Sequence, residues 1–533
     1  MKKISRLTIP GALVLMVVFL VMISPLGRVI FASGSNLYTK IQILQDVIQI
    51  INSNYVDNPD WDKIINGTIA GMLETLDPHS VYIAKNQLSD IQEQFDGKFQ
   101  GIGIEFDILD GYITVISPIA GSPSDRVGLQ VGDKLIRIDG ESAHRITRED
   151  VFKRLRGPKG SAVVVTIRRE GSADFDVTII RDDIPLYSVL AKCMLDDKTG
   201  YIYLSRFSGT TADEMERALT ELESRGMQQL IFDLRNNSGG YLEAAVAVAD
   251  KFIAGRQKIV YTQGRIRGAN EEFYSGDKDR HPQFPLIVLI NRGSASASEI
   301  VSGAVQDLDR GIIIGETSFG KGLVQRQYPL RDGAAVRVTV ARYYTPSGRL
   351  IQRPYDEDAD QYYDTFSEEY RDSILAEHDK QKPRPEYHTN SGRVVLGGGG
   401  ITPDHYVPFR LELTRDTFSL LRHPSRILFD YSHKYASKNP KWRDNEERFM
   451  AKFEVTDKMV DEFLNDAKAK EIQVNYDNLR KDTDYLKTVL KAEIAKDYWG
   501  YDQYYKVIRL RDNQVQEAMN YFNEASRMVA QTK

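Results

Sequence analysis

The sequence predicts an α/β protein of several domains: a layered α/β core, a compact β-rich module ahead of it, helices near the N-terminus and a mainly helical C-terminal region. Three observations carry this. With 533 residues the chain exceeds one ordinary domain, so three or four packed units are expected. After about Ile184, short apolar runs alternate with stretches of helical spacing, as buried strands and their covering helices do. Between about Gln87 and Asp183, strand-like runs follow one another with glycine-bearing turns between them. Charged residues make up 27% and apolar ones 41%, ordinary for globular protein. A net charge of -5 offers no concentrated basic face, which argues against nucleic acid as a partner. The sole cysteine, Cys193, excludes an intrachain disulfide and a cysteine-based metal cluster and reads as a small core residue.

At the N-terminus, Lys2, Lys3 and Arg6 precede an uncharged, mostly apolar stretch from Leu7 to Leu26. A spanning helix needs about 20 apolar residues, more than the roughly 7 to 15 of a cleaved signal, so residues 1–36 read as a membrane anchor, with a signal segment as the alternative. The bulky Ile30 suits a cut after Ala32 poorly. The positive flank puts the start in the cytoplasm and the remainder outside it, with the membrane as one partner. From Leu37 to about Ala84, Ile41, Leu44, Val47, Ile48 and Ile51 recur at helical spacing, so residues 37–86 read as helices that pack or dimerise, which makes a homo-oligomer one expectation.

Residues 87–183 carry strands near Tyr112 to Ile116, Lys134 to Ile138, Ala162 to Arg168 and Phe175 to Ile180. Gly101-Ile102-Gly103-Ile104, Ser122-Pro123 leading to Gly128-Leu129, and Gly132-Asp133-Lys134-Leu135-Ile136-Arg137-Ile138-Asp139-Gly140 punctuate them. This order resembles a PDZ domain. The resemblance implies that Ile102, Gly103 and Ile104 offer backbone N–H groups to a peptide's terminal carboxylate while the peptide adds to the sheet edge.

Residues 184–410 hold apolar runs from Tyr201 to Leu204, Leu230 to Leu234, Leu286 to Ile290 and Ile312 to Ile314. Three loops follow such runs. Asp233-Leu234-Arg235-Asn236-Asn237-Ser238-Gly239-Gly240 has glycines able to present N–H groups to an oxyanion. Gly293-Ser294-Ala295-Ser296-Ala297-Ser298-Glu299 precedes a helix, and Ser296 with Glu299 three residues on is, at its plainest, a capping box. Gly315-Glu316-Thr317-Ser318-Phe319-Gly320-Lys321-Gly322-Leu323-Val324-Gln325 sets a lysine between glycines, either a solvated loop lysine or one directed inward. Ligands of open α/β sheets gather at the carboxyl ends of strands, so the three together say more than each alone. A polar insertion from about Gln352 to Gly392 ends at Gly397-Gly398-Gly399-Gly400, and residues 411–533 read as a helical domain through Leu486, Val489, Leu490 and Ile494.

On these three loops the chain resembles the C-terminal processing, or tail-specific, peptidases over roughly residues 37 to 410. The resemblance implies a crotonase-like layered protease core with an inserted PDZ domain. It implies Ser296 as nucleophile, Lys321 as general base, Gln325 as support for the lysine, and oxyanion donors at Ala297 and at one of Gly239 and Gly240. A serine hydroxyl needs a base, and a lysine serves only if its pKa falls by about 3 units, roughly 4 kcal/mol against the charged form, which burial can supply. No metal or cofactor is required. The function expected is a serine endopeptidase on the periplasmic side of a bacterial inner membrane, binding protein substrates by their C-termini and cutting unfolded or flexible chains for processing or quality control.

Three rival readings fit the residues less well. A histidine-based triad lacks a Gly-x-Ser-x-Gly elbow, and His79, His144 and His281 read as surface or loop residues. A penicillin-binding pattern, Ser318-x-x-Lys321 with Lys198-Thr199-Gly200, has its pieces in the wrong order. A non-catalytic PDZ adaptor has no need of Ser296, Lys321 and Gln325 together.

Overall fold

The computed structural model describes residues 34–169, 171–276, 281, 283–355 and 384–531. The expected anchor and most of the polar insertion lie outside the described residues. Among the described residues, no helix is long and apolar enough to cross a membrane. The chain divides into two units, Met1–Leu76 and Asp77–Lys533.

In the first unit, helices Gly34–Asn54 and Trp61–Glu74 follow the apolar spacing. Asp60 caps the second by accepting the Lys63 N–H at 3.0 Å, satisfying a donor that the helix itself leaves unpaired. Leu37, Ile41, Leu44 and Val47 of the first are exposed. The helical reading to Ala84 goes too far. Asp77-Pro78 interrupts the run, because proline disfavours helix at the preceding residue, and Val81–Ile83 is a strand.

The second unit is built on a six-stranded sheet in the order Val189–Met194, Thr199–Leu204, Gln229–Asp233, Leu286–Ile290, Ile312–Gly315, His405–Tyr406. The first pair is antiparallel and the others are parallel. Every residue of Gln229–Asp233 and Leu286–Ile290 is buried, as unbroken apolar runs must be when both sheet faces are covered. One face packs helices Thr211–Ser224, Leu242–Asp250 and Ala297–Asp307, the last buried along its whole length. The other face is covered by the end of the chain, where helices Asn513–Ala518 and Phe522–Gln531 set Val515, Ala518, Phe522 and Ala525 against Ile231, Ile287 and Ile314. Large side chains buried this way contribute roughly 1.5–3 kcal/mol each, so the last two helices belong energetically to the core. Cys193 sits in the same layer, where burial pushes its thiol up to about 12.

A second sheet, which the sequence did not reveal, joins Val81–Ile83, Lys258–Gln263, Glu272–Tyr274, Leu323–Pro329 and Ala335–Tyr344. The β-rich module is an antiparallel path through Ile104–Leu109, Tyr112–Pro118, Lys134–Ile138, Ala162–Arg168 and Phe175–Ile180 around Ile113, Val115, Leu135, Val165 and Ile167. The helices from Arg415–Leu421 to Tyr501–Arg509 enclose their own core of Phe449, Phe463, Leu486, Leu490 and Ile494.

Candidate functional site

Three loops leave the core sheet side by side, since Asp233 pairs with Leu289 and Ile290 with Gly315 at the carboxyl ends of parallel strands. They border a cavity of about 980 Å³ lined by Ser296, Ala297, Lys321, Gln325, Gly239 and Gly240.

Ser296 precedes the helix Ala297–Asp307 with φ 54°, ψ -110°, a conformation costing a non-glycine residue on the order of 1–3 kcal/mol. What holds it there is a set of hydrogen bonds. Its N–H donates to Glu299 Oε2 at 2.8 Å, and its carbonyl accepts from the Tyr343 hydroxyl at 3.0 Å and the Ile300 N–H at 2.9 Å. The neighbouring serines are committed elsewhere: Ser294 Oγ donates to the Leu234 carbonyl and Ser298 Oγ to the Asn237 carbonyl, both at 2.8 Å.

Glu299 is more than a cap. Fully buried, its Oε2 also accepts the Lys321 N–H at 2.9 Å, and its Oε1 accepts the Gly320 N–H at 2.7 Å and Ser318 Oγ at 2.5 Å. Burial pushes its pKa up, against the pull of these four donors. One carboxylate thus ties the serine loop to the lysine loop.

Lys321 Nζ donates to Gln325 Oε1 at 2.9 Å. Burial is the main cause that lowers the lysine to about 8, and the positive charge of Arg337 on the cavity wall adds to it, while Glu299 and Asp77 work the other way. Gln325 lies just past a register shift in the strand Leu323–Pro329, an irregularity that re-aims side chains. Its Nε2 donates to the His79 carbonyl, which fixes the amide so that Oε1 faces the lysine.

The turn at Asp77 is therefore a part of the site that sequence reasoning missed. Asp77 Oδ1 accepts the N–H groups of His79 and Ser80, both at 2.9 Å, and Thr339 Oγ1 at 3.1 Å, docking the turn on the strand Ala335–Tyr344. An Asp-Pro-His-Ser run is an Asx-turn signal, so the turn, though not its destination, was there to be read. His79 and His281 lie in loops, as expected, but are buried there, while His144 is exposed. His79 stacks edge-on against Phe319 at 6.3 Å, and burial, then Lys321, lowers it to about 4, leaving it neutral. His281 is buried because its Nδ1 pairs with Glu223 at 2.8 Å.

On the third loop, Gly239 approaches the serine so closely that a Cβ there would lie 2.9 Å from Ser296 Cβ and 3.0 Å from the Ala297 nitrogen. Its own N–H is spent on Asn237 Oδ1 at 2.9 Å. The N–H groups of Gly240 and Ala297 reach no acceptor among the described residues. For Ala297 this is the ordinary state of a first-turn donor, with the positive end of the helix behind it.

In the β-rich module, Ile104–Leu109 is an edge strand, and the N–H groups of Ile102 and Gly103 just before it find no acceptor among the described residues. Phe106 and Phe152, 5.5 Å apart, bridge this strand to the helix Arg148–Leu155. Thr199, of the Lys-Thr-Gly run, pairs with Gln229 at the amino ends of the strands, away from the three loops.

The family model of peptidase family S41 matches residues 198–359, and that of a PDZ domain matches residues 114–169. The model described as the activating protease CtpB N-terminal domain matches residues 31–87, and a family of unknown function matches residues 423–500. Over 322 residues the chain is 38% identical to a carboxy-terminal-processing protease of Bartonella bacilliformis, covering 60% of this chain and 74% of that one. Over 331 residues it is 35% identical to the carboxy-terminal processing protease CtpA of Bacillus subtilis, covering 62% and 70%. The solved photosystem II D1 C-terminal processing protease is 28% identical, covers 65% of this chain and 91% of that one, and superposes with a TM-score of 0.34.

Proposed function

This chain belongs to the carboxy-terminal processing proteases, serine-type peptidases of family S41 with a PDZ domain, and from that membership we propose an exported, membrane-tethered endopeptidase working through a Ser296–Lys321 dyad. The observation that carries the dyad is selective. Of the serines at 294, 296 and 298, Ser296 lines the cavity shared with Lys321 and Gln325, while the hydroxyls of the other two are bound to backbone carbonyls.

Ser296 Oγ attacks the scissile carbonyl carbon as its proton passes to neutral Lys321 Nζ. The carbonyl oxygen becomes an oxyanion held by the N–H groups of Ala297 and Gly240, each donor worth on the order of a hundredfold in rate. Lys321 then gives its proton to the departing amine as the C–N bond breaks. Water, deprotonated by the same lysine, releases the acyl group from Ser296. Gln325 keeps Nζ on its line, and the His79 carbonyl keeps Gln325 on its own.

The PDZ module binds substrate C-termini, with the carboxylate on the N–H groups of Ile102, Gly103 and Ile104 and the peptide as an added strand beside Ile104–Leu109. A chain held by its end feeds the cavity only if it can extend, so unfolded or flexible proteins are the substrates. Export and tethering rest on the basic flank and apolar stretch of residues 1–36.

The test follows cleavage of a partly unfolded protein with an apolar C-terminus by the full chain and by Ser296→Ala and Lys321→Ala variants. Cleavage is expected to vanish in both. A parent chain that binds the C-terminal peptide and never cuts would establish the adaptor instead.

A further inference from the structure

We propose that the end of the chain positions the oxyanion loop: Asp512 and Gln514 clamp Arg235 and thereby set the Asn237–Gly240 segment against the nucleophile. The inference rests on the oxyanion assignment made above.

Arg235 is buried, and each of its side-chain nitrogens has a partner. Nε and Nη2 donate to Asp233 at 2.9 and 2.6 Å. Nη1 donates to Asp512 Oδ1 at 3.1 Å and Gln514 Oε1 at 2.6 Å, and Nη2 lies 2.9 Å from Asp512 Oδ2. Arg509 completes the cluster through Asp512 at 3.0 Å and the Tyr201 hydroxyl at 2.7 Å, so two guanidinium groups balance two carboxylates. Leaving a donor of a buried guanidinium unpaired is costly, so loss of a partner favours movement or hydration of the group.

Such movement has a direct path to the site. Two residues on, buried Asn237 donates from Nδ2 to the Leu204 carbonyl at 2.9 Å and accepts the Gly239 N–H on Oδ1 at 2.9 Å. Its carbonyl accepts the Ala295 N–H at 3.0 Å and Ser298 Oγ at 2.8 Å. A Gly-Gly pair has no side chain to anchor it, so its place is set by these flanking contacts together with the backbone of Phe207, whose N–H donates to the Gly239 carbonyl at 3.0 Å and whose carbonyl accepts the Tyr241 N–H at 2.9 Å. Asp512 and Gln514 are positioning residues. They act through Arg235 and touch no substrate.

The experiment compares full-chain Gln514→Leu with Val515→Ala and Gln516→Leu on the same helix. Val515 packs on the core sheet, so its truncation lowers stability without touching Arg235; Gln516 is exposed. Gln514→Leu is expected to lower kcat by ~10–100-fold with KM within about twofold, and to weaken a peptide aldehyde, whose adduct with Ser296 needs the same donors, in proportion. Val515→Ala should lower Tm with kcat within about twofold, and Gln516→Leu should resemble the parent. If Gln514→Leu does not fold, Asp512→Asn, which keeps shape and one acceptor oxygen, takes its place. A folded Gln514→Leu or Asp512→Asn with parental kcat, or a Val515→Ala that loses as much kcat, overturns the inference. Ser296→Ala run in parallel separates the two readings: if it still cleaves, the nucleophile assignment has failed; if it is dead while the tail variants are fully active, the positioning role has failed.

Discussion

Glu299 and Arg235 are both buried, ionisable and within a few residues of the groups that would react, yet they are satisfied in different ways. Glu299 draws its four donors from positions 3 to 22 residues away, all inside the peptidase core. Arg235 takes Asp233 from its own loop and then reaches partners 277 and 279 positions along the chain. The serine–lysine half of the site is therefore built on the core strands and the helix Ala297–Asp307, with the Asp77–Ser80 turn docked behind Gln325. The proposed oxyanion half has its Arg235 partners only when the helix Asn513–Ala518 and Asp512 have docked. On the positioning role proposed above, docking of the C-terminal helices is a condition of activity without contributing any group to the chemistry.

The largest effect should come from breaking the local half. Glu299→Ala leaves the N–H groups of Ser296, Gly320 and Lys321 and the Ser318 hydroxyl without their acceptor, and each buried donor left unsatisfied typically costs roughly 1–3 kcal/mol. It also releases Ser296 from its strained backbone. Cleavage should be lost even in the fraction that stays folded, as read by urea unfolding beside a cleavage assay. A folded Glu299→Ala enzyme retaining a tenth or more of parental activity would show that the two loops hold their geometry without the carboxylate.

An intermediate effect separates the halves by pH. Lys321 must be neutral to accept a proton, and with its pKa lowered to about 8 only roughly a tenth is neutral at pH 7. kcat/KM should therefore rise with pH through a limb near 8 and level off above it. Arg337→Gln removes a positive charge that helps keep the lysine low, so the limb should move to higher pH and the rate at pH 7 should fall. Gln514→Leu should instead lower the plateau and leave the limb in place. A limb unmoved in Arg337→Gln would remove Lys321 as its origin.

How much of this was legible follows the same division. The four core runs and four of the five strands along the path of the β-rich module, all but Ile104–Leu109, were readable because each is a short apolar or alternating stretch bounded by turns, and Ser296 and Lys321 because each sits in a glycine- or serine-rich segment just after a buried run. The strand Ala335–Tyr344 escaped notice. Its buried Ala341 and Tyr343 share it with Arg337, Thr339 and Arg342, and a strand half-buried among polar residues gives a weak signal. The tail read as one helical domain because helical period reports that a face is buried and says nothing of what buries it. Leu486 and Leu490 pack within the tail, whereas Val515 and Phe522 pack on the core sheet. Arg235 carries no local signal of its role, since its partners Asp512 and Gln514 lie 277 and 279 positions away.

The smallest effect tests the assignment of the nucleophile from the other side. Ser318 stands three residues before Lys321, but its Oγ donates to Glu299 at 2.5 Å and accepts the Ile401 N–H at 2.6 Å. Both directions of the hydroxyl are used in holding the lysine loop. Ser318→Ala should therefore cost about 1–3 kcal/mol of stability, mostly from the unpaired Ile401 N–H, and leave kcat within about threefold because Glu299 keeps its other three donors. A hydroxyl that serves as nucleophile cannot be removed so cheaply. Abolished cleavage in a folded Ser318→Ala chain, together with covalent labelling of Ser318 by a β-lactam, would move the nucleophile from Ser296 to Ser318 and make the bond to Glu299 part of its activation.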